Sequence, residues 1–226
     1  MTTERMERVM GILGDSFFPI LEAGLSYTIP LSLIAFVLGL SLALVTALAR
    51  LSGFKPLVAM AQFYVWLFRG TPLLVQLFIL FYGLPSLGIT LDPFPAAVIG
   101  FTLNKGAYSS EIIRAAILSI PKSQRDAAYS IGMTSSQAMR RIILPQAVRV
   151  SIPPLGNSFI SLVKDTSLAA TITVTEMFQK GQQIAAVTYE PLWLYMEVAV
   201  IYLLFSTLLS QIQARLEKRF ERSVAK

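Results

Sequence analysis

The chain has 226 residues, of which 54% are hydrophobic and only 14% charged, with a mean hydropathy of +0.63. That is too apolar for a soluble domain and too evenly spread for a single anchor, so an integral membrane protein is expected. With no Cys and no His, disulfides, iron–sulfur clusters, thiolate metal sites and the commonest acid–base side chain are all excluded. The net charge of +6 does not read as a nucleic-acid surface, because the basic residues sit beside apolar spans rather than along one solvated face.

The first 24 residues open with Glu4-Arg5-Met6-Glu7-Arg8, whose charges cancel, and no apolar stretch with a small-residue cleavage site follows closely. A removable signal peptide is therefore not expected. A first span runs from about 25 to 48, interrupted only by Ser, Thr, Gly and Pro30, and long enough for the ~20 residues that a membrane helix requires.

A second span is predicted at 57–84, with Arg69, Gly70, Thr71 and Pro72 near its middle. Proline lacks an N–H and disfavours helical geometry at the residue before it, so Thr71-Pro72 should break the helix and free backbone amides at depth. Freed amides and a guanidinium suit a carboxylate ligand. The other reading is a proline kink in which Arg69 pairs with Asp165 or Glu111.

The third span, 96–118, carries Lys105, Glu111 and Arg114, the last two expected to be mostly structural. Next comes the polar, basic interval 121–145, which contains DAAYSIGMTSSQAMRRIILP. Ser123 with Asp126 and Thr134 with Gln137 have capping-box spacing, Gly132 supplies a left-handed helix end, and Pro145 is expected to close the second helix. A helical hairpin this small buries no core of its own and must dock onto something.

The fourth span, 152–172, places Asn157, Ser161 and Asp165 four residues apart on one helical face, with Lys164 about 100 degrees away. Ionisable groups at this depth are costly and face a partner or a cavity. Asp165 suits an ammonium group; the plainer alternative is an internal Lys164–Asp165 charge balance. Glu197 in the fifth span, 192–212, is a weaker candidate.

Basic residues set the orientation. Arg50 and Lys55 follow span one, Arg114, Lys122, Arg125, Arg140, Arg141 and Arg149 lie in the long loop, and Arg215, Lys218, Arg219, Arg222 and Lys226 occupy the tail. The loop 85–95 has none and 174–191 only Lys180, so the N-terminus is expected outside and the C-terminus inside, in one all-helical domain over 1–226.

Asp126, Ala127, Ala128, Gly132, Ile142, Leu144 and Pro145 resemble, with Asp in place of Glu, the EAA loop of permease subunits of ABC importers. The runs FRGTPLLVQ, NKGAYSSEIIR and LVKDTSL look like the permeases of polar amino-acid uptake systems in the cytoplasmic membrane of prokaryotes. The run GNSFISLVKDTSLAATI is particularly similar to L-cystine permeases, although siblings for glutamine, glutamate, arginine or histidine share most of it.

The resemblance implies a five-helix type I importer permease fold. It implies a coupling loop (Asp126, Ala127, Ala128, Gly132, Arg140, Leu144, Pro145) seated in a dimer of ATPase subunits, and substrate contacts at Arg69, Gly70, Thr71, Asn157, Ser161 and Asp165. It implies an extracytoplasmic amino-acid-binding protein and a second permease copy, identical or a sister, among membrane lipids and without nucleic acid. No cofactor is expected in this chain; it has no phosphate-cradling Gly-x-x-x-x-Gly-Lys loop, so ATP and Mg belong to the partner. An ion-coupled secondary transporter is the alternative, disfavoured by the lack of an inverted repeat and of His.

Overall fold

The computed structural model describes residues 3–222, which are helices and turns without a strand. Lys226, one of the C-terminal charges used for orientation, lies outside them. Helices α1 (Thr3–Ala23) and α2 (Ile29–Leu51) are followed by α3 (Lys55–Gly70), α4 (Leu73–Phe78) and α5 (Pro93–Ser119). Then come α6 (Lys122–Ser130), α7 (Ser135–Ala138), α8 (Leu144–Asp165), α9 (Met177–Thr188) and α10 (Pro191–Arg222).

Three π turns, Gly24–Thr28, Ile79–Gly83 and Met139–Ile143, each end two residues before a proline: Pro30, Pro85 and Pro145. A proline in a regular helix removes one hydrogen bond and pushes its ring against the carbonyl four residues back. Here the turn ahead of each widens, closing instead through Ile29 N–H to Gly24 O, Leu84 N–H to Ile79 O and Leu144 N–H to Met139 O. Pro145 therefore does not close the coupling hairpin, contrary to the sequence reading. It lies in the first turn of α8, where a missing N–H costs least, and the helix runs on.

Other expectations need correcting. The first span is part of a longer helix than expected: α1, the π turn and α2 form one helical stretch, Thr3–Leu51. The second is in pieces, with α4 followed by a π turn and the 3-10 turn Leu84–Leu87. The fourth stops being an α-helix at Asp165 and continues as the 3-10 stretch Thr166–Ile172. The loop 174–191 contains α9, started by Glu176, whose carboxylate accepts from Gln179 N at 2.8 Å.

Thr3–Leu51 and Pro191–Lys218 are long and apolar enough to cross a membrane, and the bent pair Lys55–Gly70 with Leu73–Leu87 adds a third if it is one span. Helices α5 and α8 do not pass that test; α5 carries Asn104, Lys105, Glu111 and Arg114, and α8 carries Arg149, Asn157, Lys164 and Asp165 with Pro153 and Pro154 inside it.

The chain divides into two compact units. The first comprises residues 1–36, 73–101 and 159–211. One of its cores gathers Leu31, Leu77, Phe101, Leu162 and Ile172; another gathers Ile20, Met177, Val198 and Ile201. Here α1 is tied down by Arg5 to Glu190 (3.1 Å), by Arg8 donating to the Thr188 carbonyl (3.1 Å) and by Ser16 donating to Glu197 (2.5 Å).

The second unit comprises 37–72, 102–158 and 212–226. Its core is made of small and β-branched side chains: Ala43, Ala47, Ile113, Ala116, Ile117, Ile143 and Ala147. Such residues let helix backbones approach closely. Gly106 is one such close approach, since a Cβ there would stand 2.7 Å from the Tyr64 hydroxyl, which donates to Leu103 O at 2.6 Å.

Candidate functional site

The hairpin of α6 and α7 lies in the second unit and is built almost wholly by local hydrogen bonds. Helix α6 ends in a Schellman turn: Met133 N–H donates to Ala128 O (3.1 Å) and Gly132 N–H to Tyr129 O (2.9 Å). Gly132 is the left-handed residue, at φ +80. Thr134 then makes the expected capping box, accepting from Gln137 N at 3.3 Å while its own N–H donates to Gln137 Oε1 at 2.9 Å.

The other expected cap is absent. Pro121 is the N-cap of α6 and makes no side-chain cap, so Ser123 falls inside the helix and does not pair as a box with Asp126. Proline fixes the backbone before the first turn and so starts the helix itself.

Of the motif residues, Ala128 is buried, Leu144 half-buried, and Asp126, Ala127, Gly132, Arg140 and Pro145 are exposed. Beside them Ile131 is 74% exposed, a large apolar side chain standing out of a polar hairpin. The hairpin is thus anchored by Ala128, Ala138 and Ile143, with Leu144 packed against the core, and presents Asp126, Ala127, Gly132, Arg140 and Pro145 outward.

The break at Thr71-Pro72 is present. Helix α3 ends at Gly70, Thr71 is extended (φ −119, ψ 146), and its hydroxyl donates to Leu67 O at 2.8 Å. Asn104 of α5 donates to Phe68 O, at 3.4 Å, so one of the carbonyls at the end of α3 is met from a neighbouring helix.

Arg69 stands over the Tyr108 ring, 5.2 Å from its centroid, with its Nη1 4.0 Å from Glu111 Oε1. That answers the sequence alternatives for its partner in favour of Glu111, at the outer limit of an ion pair. Glu111 is more tightly engaged elsewhere. Arg50 pairs with its Oε1, and Arg114 donates to Oε2 through Nε at 3.2 Å and Nη2 at 2.9 Å. Three guanidinium groups from α2, α3 and α5 therefore share one carboxylate, leaving an excess of positive charge.

The remaining predicted residues divide between the units. Asn157 is exposed in the second, where its Oδ1 accepts from Gln213 at 3.3 Å; Gln213 also donates to Pro153 O at 3.1 Å. Ser161 and Asp165 are half-buried in the first, Asp165 at the head of the 3-10 stretch.

Sequence reasoning missed Glu176. It is fully buried in the first unit, where Tyr202 of α10 donates to its Oε2 at 2.5 Å. Burial pushes its carboxyl above the usual range, against the lowering effect of bonds from Tyr202, Phe178 and Gln179. The available signal was an acidic residue three before Gln179 at the head of a helical run. Among the described residues, no three acidic side chains gather as a metal site would need.

Comparison with known proteins accounts for this arrangement. Residues 35–222 match the family described as binding-protein-dependent transport system inner membrane component. The chain is 56% identical over 216 residues to the L-cystine transport system permease protein TcyB of Bacillus subtilis (strain 168), covering 95% of this chain and 92% of that protein. It is 38% identical to the glutamine transport system permease protein GlnP of Escherichia coli (strain K12), covering 90% and 94%. A crystal structure of an amino acid ABC transporter with histidines superposes with a TM-score of 0.86 at 32% identity, covering 97% of this chain and 99% of that one. A long apolar helical framework, a broken helix beside an arginine cluster and an exported helical hairpin thus belong together: the chain is a member of the family of inner-membrane permease components of binding-protein-dependent ABC transport systems, whose ATP hydrolysis resides in a separate subunit.

Proposed function

We propose that this chain is the translocation subunit of an importer for a polar amino acid, with L-cystine the first candidate. The observation that carries the substrate is the 56% identity, over nearly the whole chain, to a permease named for L-cystine transport. Glutamine, glutamate, arginine and histidine are the alternatives, since a glutamine permease is also a relative. The chain forms one permease domain over 1–226, crosses the membrane five times, N-out and C-in, with spans at about 25–48, 57–84, 96–118, 152–172 and 192–212. The basic residues that follow spans one, three and five support that orientation.

Two copies, identical or sister, form the pathway, and two ATPase subunits carrying ATP and Mg bind the hairpin through Asp126, Ala127, Ala128, Gly132, Arg140, Leu144 and Pro145. Closure of the ATPase pulls on the hairpin and rocks the permease halves, turning a site from the outer face to the inner one. Arg69 with the amides after Gly70 and Thr71 takes the substrate carboxylate, Asp165 suits its ammonium group, and Asn157 and Ser161 are further candidate contacts. An extracytoplasmic binding protein delivers the substrate.

The test is substrate-stimulated ATPase activity of the chain reconstituted in lipid vesicles with its ATPase and binding protein, scanning amino acids with L-cystine included. Stimulation by L-cystine alone supports the full reading, and stimulation by another amino acid reassigns the substrate. Uptake driven by an ion gradient without ATP would refute it in favour of a secondary transporter.

A further inference from the structure

We propose that Glu111 is a built-in competitor for the substrate carboxylate, holding Arg69 in the empty transporter and releasing it when substrate arrives; this rests on the reading that Arg69 binds that carboxylate. All of the geometry lies within the second unit. Glu111 has two oxygens and three guanidinium partners, and the partners are unequal. Arg114 reaches Oε2 through two nitrogens at 3.2 and 2.9 Å, and Arg50 closes on Oε1. Arg69 approaches Oε1 only to 4.0 Å, and its side chain is 42% exposed against 16% for Arg50 and 31% for Arg114.

A guanidinium carries five N–H donors in a fixed fork that matches a carboxylate edge to edge. At 4.0 Å from an oxygen already claimed by Arg50, the Arg69 fork makes no such match with Glu111. Its exposed donors, with the cation held over Tyr108 at 5.2 Å, are presented to a second carboxylate. Charge points the same way: Arg50, Arg69 and Arg114 against Glu111 leave two positive charges, and one substrate carboxylate reduces the excess without dismantling the cluster. The exchange costs little, because the pair being broken is the longest and wettest of the three.

Arg69 ends α3 just before the break at Thr71-Pro72 while Glu111 sits on α5, so releasing the pair removes one of the ties between them and leaves Asn104 on Phe68 O and Tyr64 on Leu103 O in place. Glu111 acts through Arg69 and is a positioning residue.

The experiment measures the Kd of radiolabelled L-cystine for the detergent-purified permease–ATPase complex without binding protein. Glutamine is a second ligand, and the amide of each, which lacks the carboxylate, is the control. Glu111→Gln removes the competitor and is expected to tighten binding of the carboxylates about two- to five-fold, the range of a partly exposed ion pair, and to leave the amides unmoved. Glu111→Asp keeps the charge that Arg50 and Arg114 need for assembly. Arg114, on the same helix, follows the shortened side chain more readily than Arg69 on another, so this variant is also expected to tighten binding.

Arg69→Gln is expected to weaken carboxylate binding at least ten-fold and to make further substitution of Glu111 silent. If Arg69→Gln weakens binding while neither Glu111 variant that assembles tightens it, the competition is wrong and the carboxylate role of Arg69 stands. If Arg69→Gln leaves the Kd unchanged, the carboxylate role fails and the competition with it.

Discussion

Replacing Gly132 separates two roles that coincide in one residue: shaping the hairpin and docking it. The residue sits at φ +80 in the Schellman turn, and an added Cβ would meet nothing within 4 Å. Steric clash is thus absent and the cost is backbone strain alone, about 1–2 kcal/mol for an L-residue held left-handed. Against a stability of ~5–15 kcal/mol, that does not unfold the chain. For a chain of this size it lowers the melting temperature by roughly 2–4 °C per kcal/mol. Asn and Asp tolerate the left-handed region better than Ala, so Gly132→Asn and Gly132→Asp should melt close to the parent and above Gly132→Val. Transport should order differently. Asn and Asp have the same shape, so a coupling defect in Gly132→Asp beyond that of Gly132→Asn reports the charge placed in the ATPase groove. The assay is the ratio of amino acid taken up to ATP hydrolysed in reconstituted vesicles, beside the melting curve of each variant. Wild-type coupling in Gly132→Asp would refute the docking role; equal melting of the Asn and Val variants would refute the strain argument.

Thr134→Ala should cost about 1 kcal/mol by removing the side-chain half of the capping box, seen as faster amide exchange over 135–139, while Thr134→Ser should be nearly silent. Gly106→Ala places a methyl 2.7 Å from the Tyr64 hydroxyl, so either the helices part or the 2.6 Å bond to Leu103 O breaks; a loss of about 1–3 kcal/mol is expected, partly recovered by Tyr64→Phe in the same chain. Glu176 titrates in the opposite sense to an ordinary paired carboxylate. Its folded pKa is raised by burial, so its stabilising contribution is complete below the unfolded value of about 4.3 and is lost as pH rises through the higher folded value. Melting temperature should therefore fall with rising pH across that window in the parent and less steeply in Glu176→Gln; an unchanged slope would show that Tyr202 and Gln179 hold the carboxylate ionised.

What the sequence determined by itself is the chemistry that neighbours within a few residues decide. The membrane class follows from apolar composition, the break at Thr71 from the proline behind it, the left-handed turn from Gly132, and the second cap from Thr134 and Gln137 three apart. The family was legible in the spacing of Asp126, Ala127, Ala128, Gly132, Leu144 and Pro145.

Local rules failed where a wider context intervened. Pro145 is a helix stop by propensity, but a π turn ahead of it relieves the clash and seats Ile143 in the core, and the helix continues. Ser123 has the spacing of a cap, yet Pro121 starts the helix first. The tertiary structure alone decided the meetings of distant residues. Glu111 lies 61 positions from Arg50 and 42 from Arg69, and nothing in either neighbourhood says that three arginines converge on it. Glu176 stands in a stretch that reads as an outer loop, and only the packing of α9 and α10 buries it against Tyr202. Backbone conformation is set by near neighbours, whereas the partner of a buried charge is set by which helices pack together.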